Sequence, residues 1–213
     1  MSDELVIFGG TFNPIHHGHL IVAGAVAQMR GFERVTFMPV NLPPHGAANG
    51  QGRKSLTSGD TSAADRLEMI RLAISGEAHL DVSDLELKRP GASFTYDTLC
   101  QLRQLHPQAR LHLIVGADML ADLPRWRRAA EVVEMAQILT VGRAGPEMAD
   151  ILRGIQGAFT PPQHARLASG LLTTPLIDIS SSDIRRRVKA ALSIRYLVPE
   201  AVRDFIYRKK LYI

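Results

Sequence analysis

The stretch Leu5-Val-Ile-Phe-Gly-Gly-Thr-Phe-Asn-Pro-Ile-His-His-Gly-His-Leu20 decides how this chain is read. Leu5 to Phe8 is a short, continuous apolar run halted by Gly9 and Gly10, the pattern of a strand buried on both faces that ends in a tight turn. Two successive glycines allow φ > 0 and a close approach of backbone to ligand. From about Gly18, the residues Leu20, Ile21, Val22, Ala25, Val26 and Met29 mark a helix. Strand, glycine turn and helix start together aim free backbone N–H groups and the positive end of a helix dipole at one point. Such a point binds phosphate.

His16 and His19 are three apart, so they share a face if the helix begins near them, and His17 points elsewhere. Gly18 between them leaves room for a nucleotide against the backbone. The rival reading of three histidines in four residues is a metal site. Their spacing is too tight for the common zinc sets and no acidic ligand lies nearby, so phosphate contact is the better reading and no metal ligand is assigned. The plain alternative, a core strand with a chance turn and capping histidines, leaves the coincidence of these features unexplained.

Outward from this stretch, composition sets the bounds. A chain of 213 residues that is 46% apolar can bury one sizeable core and is most simply a single domain, 1–213, with 181–213 as a helical C-terminal subdomain. No apolar run approaches the roughly 18 to 20 residues of a membrane span, and Met-Ser-Asp-Glu is acidic where a signal peptide is basic. The expectation is a cytoplasmic protein with no membrane partner. Cys100 is the single cysteine and reads as a small packed side chain. The net charge of +4 is uneven: nine basic residues from Arg185 onward face only Glu200 and Asp204. That run reads as a solvated helix face, with one arginine turned to polyphosphate. Without an RNA-binding signature or interleaved aromatics, no nucleic-acid partner is expected.

In order, the chain alternates strand and helix. Further strands are expected at Arg34–Met38, Leu80–Leu87, Arg110–Val115, Gln137–Gly142 and Thr174–Ile179. Helices are expected at Ala63–Ile74 with a stripe of Leu67, Ile70, Ala73 and Ile74, after Ser93, around Ala129–Met135, Glu147–Ile155 and Gln163–Ala168, and at Ser181–Leu192 and Pro199–Lys209. Residues 46–59, with four glycines and no period, read as a mobile, lid-like loop. Alternation of this kind implies right-handed crossovers and a doubly wound α/β fold with a parallel sheet. Ligands then bind outside the carboxyl ends of the strands. Gly9-Gly10, Asn41, Gly116-Ala117-Asp118 and Ile179-Ser180-Ser181-Ser182 all fall there. The last of these continues to Arg185, and three hydroxyls at a helix start with an arginine one turn in suit a polyphosphate.

Gly9 to His19 resembles the signature of the bacterial nicotinate-nucleotide adenylyltransferases, among the nucleotidyltransferases with an H-x-G-H motif, with Asn13 where most members have Asp. Ile179-Ser-Ser-Ser-Asp-Ile-Arg185 resembles that family's Ile-Ser-Ser-Thr-x-Ile-Arg. Ser93-Phe-Thr-Tyr-Asp-Thr-Leu99 resembles its Ser-Tyr-Thr-x-Asp-Thr-Leu, and Leu123-Pro-Arg-Trp126 its Leu-Pro-x-Trp. The resemblance runs along nearly the whole chain. It implies adenylyl transfer from ATP to nicotinate mononucleotide, with Mg²⁺ arriving on ATP and no dedicated protein cage for it.

By the same resemblance His16, His19 and Arg185 are catalytic. Gly9, Gly10, Thr11, Phe12, Gly116, Asp118, Ile179, Ser181 and Ser182 meet ATP, Asp118 through the ribose hydroxyls. Asn41, His45, Lys54, Thr95, Tyr96, Arg125, Trp126 and Arg143 meet the mononucleotide, Thr95 near the carboxylate and Trp126 stacked on the ring. Read alone, a single tryptophan is a core residue. Gly46 stands where the family reads Pro-Pro-His-Lys, so Lys54, or Arg53, is expected to supply the missing cation. Two alternatives stay open: a pantetheine-phosphate type enzyme of the same fold, usually with Thr at the place of His16, and a nucleotide-binding sensor. A homo-oligomer is compatible with the sequence.

Overall fold

Val6 and Ile7 are neighbours on a strand, point to opposite faces and are 1% and 2% exposed, so their sheet is covered on both sides. The structure, a computed structural model, describes residues 4–42, 61–142, 146–175 and 177–213. Its strands are β1 (Glu4–Gly10), β2 (Val35–Pro39), β3 (Leu80–Val82), β4 (Arg110–Gly116), β5 (Ala136–Gly142) and β6 (Leu171–Thr173). All pair in parallel, in the order β3-β2-β1-β4-β5-β6. The helices are α1 (His17–Arg30), α2 (Ala63–Ala73), α3 (Thr95–Leu105), α4 (Ala117–Asp122), α5 (Ala129–Met135), α6 (Pro146–Gly154), α7 (Pro161–Ser169), α8 (Ser181–Lys189) and α9 (Glu200–Arg208). Among the described residues no helix is long and apolar enough to cross a membrane.

The strand alternation divides the core in two. Val6, Ile114 and Leu139 face a cluster shared with α1, α2, α8 and α9, through Val26, Ile70, Ile184 and Phe205. Ile7, Leu113 and Ile138 face the other cluster, with Leu99 of α3, Val132 of α5, Leu152 of α6 and Leu167 of α7. This is the doubly wound sheet expected from the sequence. β1 and β4 are adjacent, and the chain runs from them outward to β3 on one side and β6 on the other. A crevice therefore opens beyond their carboxyl ends, at Gly10 and Gly116.

Several local expectations are corrected. Neither Gly9 nor Gly10 has positive φ; both stay in β1, opposite Met38 and Pro39, and the left-handed residue of the turn is Phe12, at φ 48°. Gly10 instead clears space for the Phe12 ring, since a Cβ there would lie 2.9 Å from Phe12 Cζ. Among the described residues, none of the expected strand Thr174–Ile179 lies in a strand. β6 is Leu171–Thr173, and its ladder closes with the Thr174 N–H on Gly142 O at 3.1 Å, where β5 itself ends. β3 ends at Val82, because Asp81 and Ser83 turn their side chains onto the backbone N–H groups of Val82 and Leu85 at 2.7 and 3.3 Å. The buried face of α2 is Arg66, Met69 and Ile70, one step round from the stripe led by Leu67.

Gly170, between α7 and β6, is the tightest fit in the sheet: a Cβ there would lie 1.9 Å from the Ile138 carbonyl oxygen. Gly170→Ala should lower stability by about 3 kcal/mol in urea unfolding, the upper range for overpacking. A loss under about 0.5 kcal/mol, the level of a neutral surface change, would contradict this packing.

Candidate active site

Residues 11–14 join β1 to α1, and side chains from distant parts of the chain hold their polar groups. Thr11 O accepts from Arg66 Nη1 at 2.8 Å, Asn13 O from Arg185 Nη1 at 2.7 Å and Pro14 O from Ser181 Oγ at 2.8 Å. Tyr212 donates its hydroxyl to Asn13 Oδ1 at 2.6 Å. In a trans peptide the C=O and the following N–H point opposite ways, so the N–H groups of Phe12 and Ile15 face away from Arg66 and Ser181. N–H groups directed this way, beside the first turn of α1, are donors suited to an anion.

His16 caps α1 and is 6% exposed. Its ring stacks on His19, centroids 3.7 Å apart and 24° from parallel, and its backbone N–H donates to His19 Nδ1 at 3.3 Å. His19 also meets Phe12 and Phe8 edge to face, at 5.0 and 6.0 Å. In this apolar setting burial lowers the His16 pKa from 6.5 to about 4, helped by His17. Burial likewise lowers His19 to about 3, helped by His16. Both rings are neutral at pH 7, and His16 Nδ1 is buried without a hydrogen-bond partner among the described residues. A Cβ at Gly18 would lie 3.0 Å from that Nδ1 and 3.3 Å from Ile177 Cγ2. The space at this glycine is taken up by the His16 ring and Ile177, whereas the sequence assigned it to a nucleotide. His17 begins α1, its backbone N–H bound to Leu197 O at 3.0 Å.

The second motif lies against the first. Ser180 caps α8 by accepting from Asp183 N at 3.1 Å, Ser181 spends its proton on Pro14, and Ser182 stays exposed with its Oγ 3.1 Å from Ser180 Oγ. Arg185 reaches back to Asn13 with one N–H, and Ile179 packs on the core. At the neighbouring strand end Gly116 caps α4. A Cβ there would lie 2.7 Å from Asp118 Oδ1, so this glycine lets an exposed carboxylate fold over the strand end.

Of the residues expected on the mononucleotide side, Thr95 opens α3, and Tyr96 accepts from Arg128 Nη1 at 2.5 Å. Trp126 is partly buried against the same cluster as Tyr96, and Arg125 is exposed beside Asp122 at 3.7 Å. Asn41 is tied to the 89–93 segment, its backbone N–H on Ser93 Oγ at 3.0 Å and its side chain on Arg89 O at 2.9 Å. His45, Arg53, Lys54 and Arg143 lie outside the described residues. Two residues at the site went unread in the sequence, Arg66 and Tyr212. Arg66 is fully buried and donates to Val40 O at 2.7 Å as well as to Thr11 O. Its signal was an arginine four residues before Ile70, on the buried side of a helix.

The Cytidylyltransferase-like family model matches residues 7–187. A probable nicotinate-nucleotide adenylyltransferase of Desulfitobacterium hafniense (strain Y51) is 38% identical over 209 residues, 97% of this chain and 94% of its own length. One of Thermomicrobium roseum is 40% identical over 209 residues, 98% of this chain and 91% of its own. This chain belongs to the nicotinate-nucleotide adenylyltransferase family. The solved structure of Plasmodium falciparum nicotinic acid mononucleotide adenylyltransferase complexed with NaAD shares the fold, with a TM-score of 0.73 over 99% of this chain and 97% of that one at 19% identity.

In this family member the histidine pair also makes a testable statement about pH. Both folded values lie below the ordinary 6.5, so the unfolded chain takes up these protons first. Their contribution is fully present above pH 6.5 and is lost as pH falls through about 4 for His16 and about 3 for His19. Each histidine adds up to about 1.4 kcal/mol per pH unit to that slope. His16→Gln/His19→Gln should therefore flatten the decline of unfolding free energy between pH 6.5 and 4. An unchanged slope would contradict their burial as neutral rings.

Proposed function

We propose that this chain transfers the adenylyl group of ATP to nicotinate mononucleotide, forming deamido-NAD and pyrophosphate, and that it works in the cytoplasm as one unit. The observation that carries this reading is the meeting of the stacked neutral His16–His19 pair, the held turn 11–14 and the start of α8 at the carboxyl end of β1. A phosphate oxygen of the mononucleotide attacks the α-phosphorus of ATP. The bond from that phosphorus to the bridging oxygen breaks, and pyrophosphate leaves with the electron pair. The attacking monoester has a second pKa near about 6, is largely dianionic at neutral pH and needs no general base. Imidazoles with pKa values of about 4 and about 3 fit that scheme, being poor bases but competent N–H donors.

The protein's work is then positioning and charge neutralisation. His16 and His19 donate to the transferred and leaving phosphates, and the growing negative charge raises their pKa values again. The remaining N–H groups of Arg185, the start of α8 and Ser182 hold the pyrophosphate. Gly116 and Asp118 hold the adenosine, Asp118 accepting from ribose hydroxyls. The start of α3 at Thr95 receives the pyridine carboxylate, with Trp126 beside the ring, and Lys54 or Arg53 meets the mononucleotide phosphate. Mg²⁺ would arrive on ATP and would supply charge screening for its phosphates. The imidazoles and hydroxyls at the turn are ill suited to an all-protein magnesium cage.

Mixing ATP with nicotinate mononucleotide should release pyrophosphate, with a higher kcat/KM than for the neutral amide analogue. Absence of release, or equal kcat/KM for both acceptors, would overturn the reading. His19→Ala should lower kcat by about 10², the scale of one lost electrostatic donor, in a folded protein. A folded His19→Ala protein with near-normal kcat would remove His19 from the mechanism.

A further inference from the structure

Two residues hold the turn but take no part in the chemistry above. Arg66 is 0% exposed, and among the described residues it has no carboxylate partner. Burial lowers its pKa, so its charge is costly where it stands. An apolar side chain of similar volume would pack there at no such cost. What the guanidinium gains is its fork: Nη1 takes Thr11 O at 2.8 Å, and Nη2 takes Val40 O at 2.7 Å and Asn41 O at 3.3 Å. It therefore ties the turn after β1 to the end of β2 at a fixed distance. Tyr212, in the segment after α9, holds the same turn from another side through Asn13 Oδ1 at 2.6 Å, while its ring packs on the α1–α2–α9 cluster. Nearby, Lys209 reaches Asp65 of α2 at 3.6 Å, so the segment carrying Tyr212 lies beside the helix carrying Arg66.

We propose that Tyr212 and Arg66 are positioning residues for adenylyl transfer, which keep the carbonyls of the turn 11–14 turned away from the polyphosphate. The proposal rests on the adenylyl-transfer reading. Were the Thr11–Phe12 peptide free to rotate, a carbonyl oxygen would replace an N–H donor opposite the developing charge. Such a reversal weakens the transition state more than the binding of the mononucleotide, so it appears in kcat before KM.

The test uses the full chain. Tyr212→Phe removes one hydroxyl and leaves the ring. It should lower kcat about three- to tenfold, the span of one hydrogen bond, with KM for the mononucleotide within about twofold at a temperature well below unfolding. Adding Tyr212→Phe to Asn13→Ala should cause no further loss, since both remove the same contact. Arg66→Lys keeps a cation but loses the fork, and should lower kcat by about tenfold or more where the protein folds. If Arg66→Lys fails to fold, Tyr212→Phe decides alone. An active wild type with unchanged kcat in Tyr212→Phe would overturn the proposal, as would a lowered melting point with normal kcat or an additive double variant. A wild type that releases no pyrophosphate would instead overturn the functional reading beneath it.

Discussion

A backbone turn offers oxygen and N–H alternately, and phosphate accepts only one of them. The constraint on which this site depends is the disposal of the oxygens. Thr11, Asn13 and Pro14 give their carbonyls to Arg66, Arg185 and Ser181 respectively, and Asn13 gives its side-chain oxygen to Tyr212. The donors stand 55, 172, 167 and 199 residues from their acceptors. No local propensity can assemble that arrangement. It exists because α2, α8 and α9 pack on one face of the sheet, against the same cluster as Phe12 and Ile15.

The same packing explains the histidines. Phe12 can fold back over β1 only because Gly10 has no Cβ, and the ring then forms an apolar wall against His19. Gly18 likewise leaves the His16 ring room to lie flat on His19, since a Cβ there would press on that ring at 3.0 Å. Two imidazoles in contact, shielded from water, cannot both be charged cheaply, so the pair waits as neutral donors. In the proposed reaction, the negative charge of the polyphosphate would reverse that balance.

The strand and the helix at the start of the chain were legible because each is local: an apolar run and a helical period, both between Glu4 and Arg30. The parallel sheet followed from the alternation of such units. Features set by distant partners were not legible. Thr174–Ile179 looked like a strand, but the register with β5 ends at Thr173 opposite Gly142. Leu67 looked like the leading residue of the α2 stripe, but carbonyls from 25 to 55 residues away turn Arg66 inward. The three serines read as a phosphate cluster, whereas one caps a helix and one binds Pro14.

The most direct measurement is a crystal structure of this chain with a non-hydrolysable ATP analogue. The account predicts phosphate oxygens within hydrogen-bond distance of His16 or His19 and of the first turn of α8, with the Thr11, Asn13 and Pro14 carbonyls still bound to Arg66, Arg185 and Ser181. Phosphates lying away from the end of β1, or a turn whose carbonyls have rotated toward them, would contradict it.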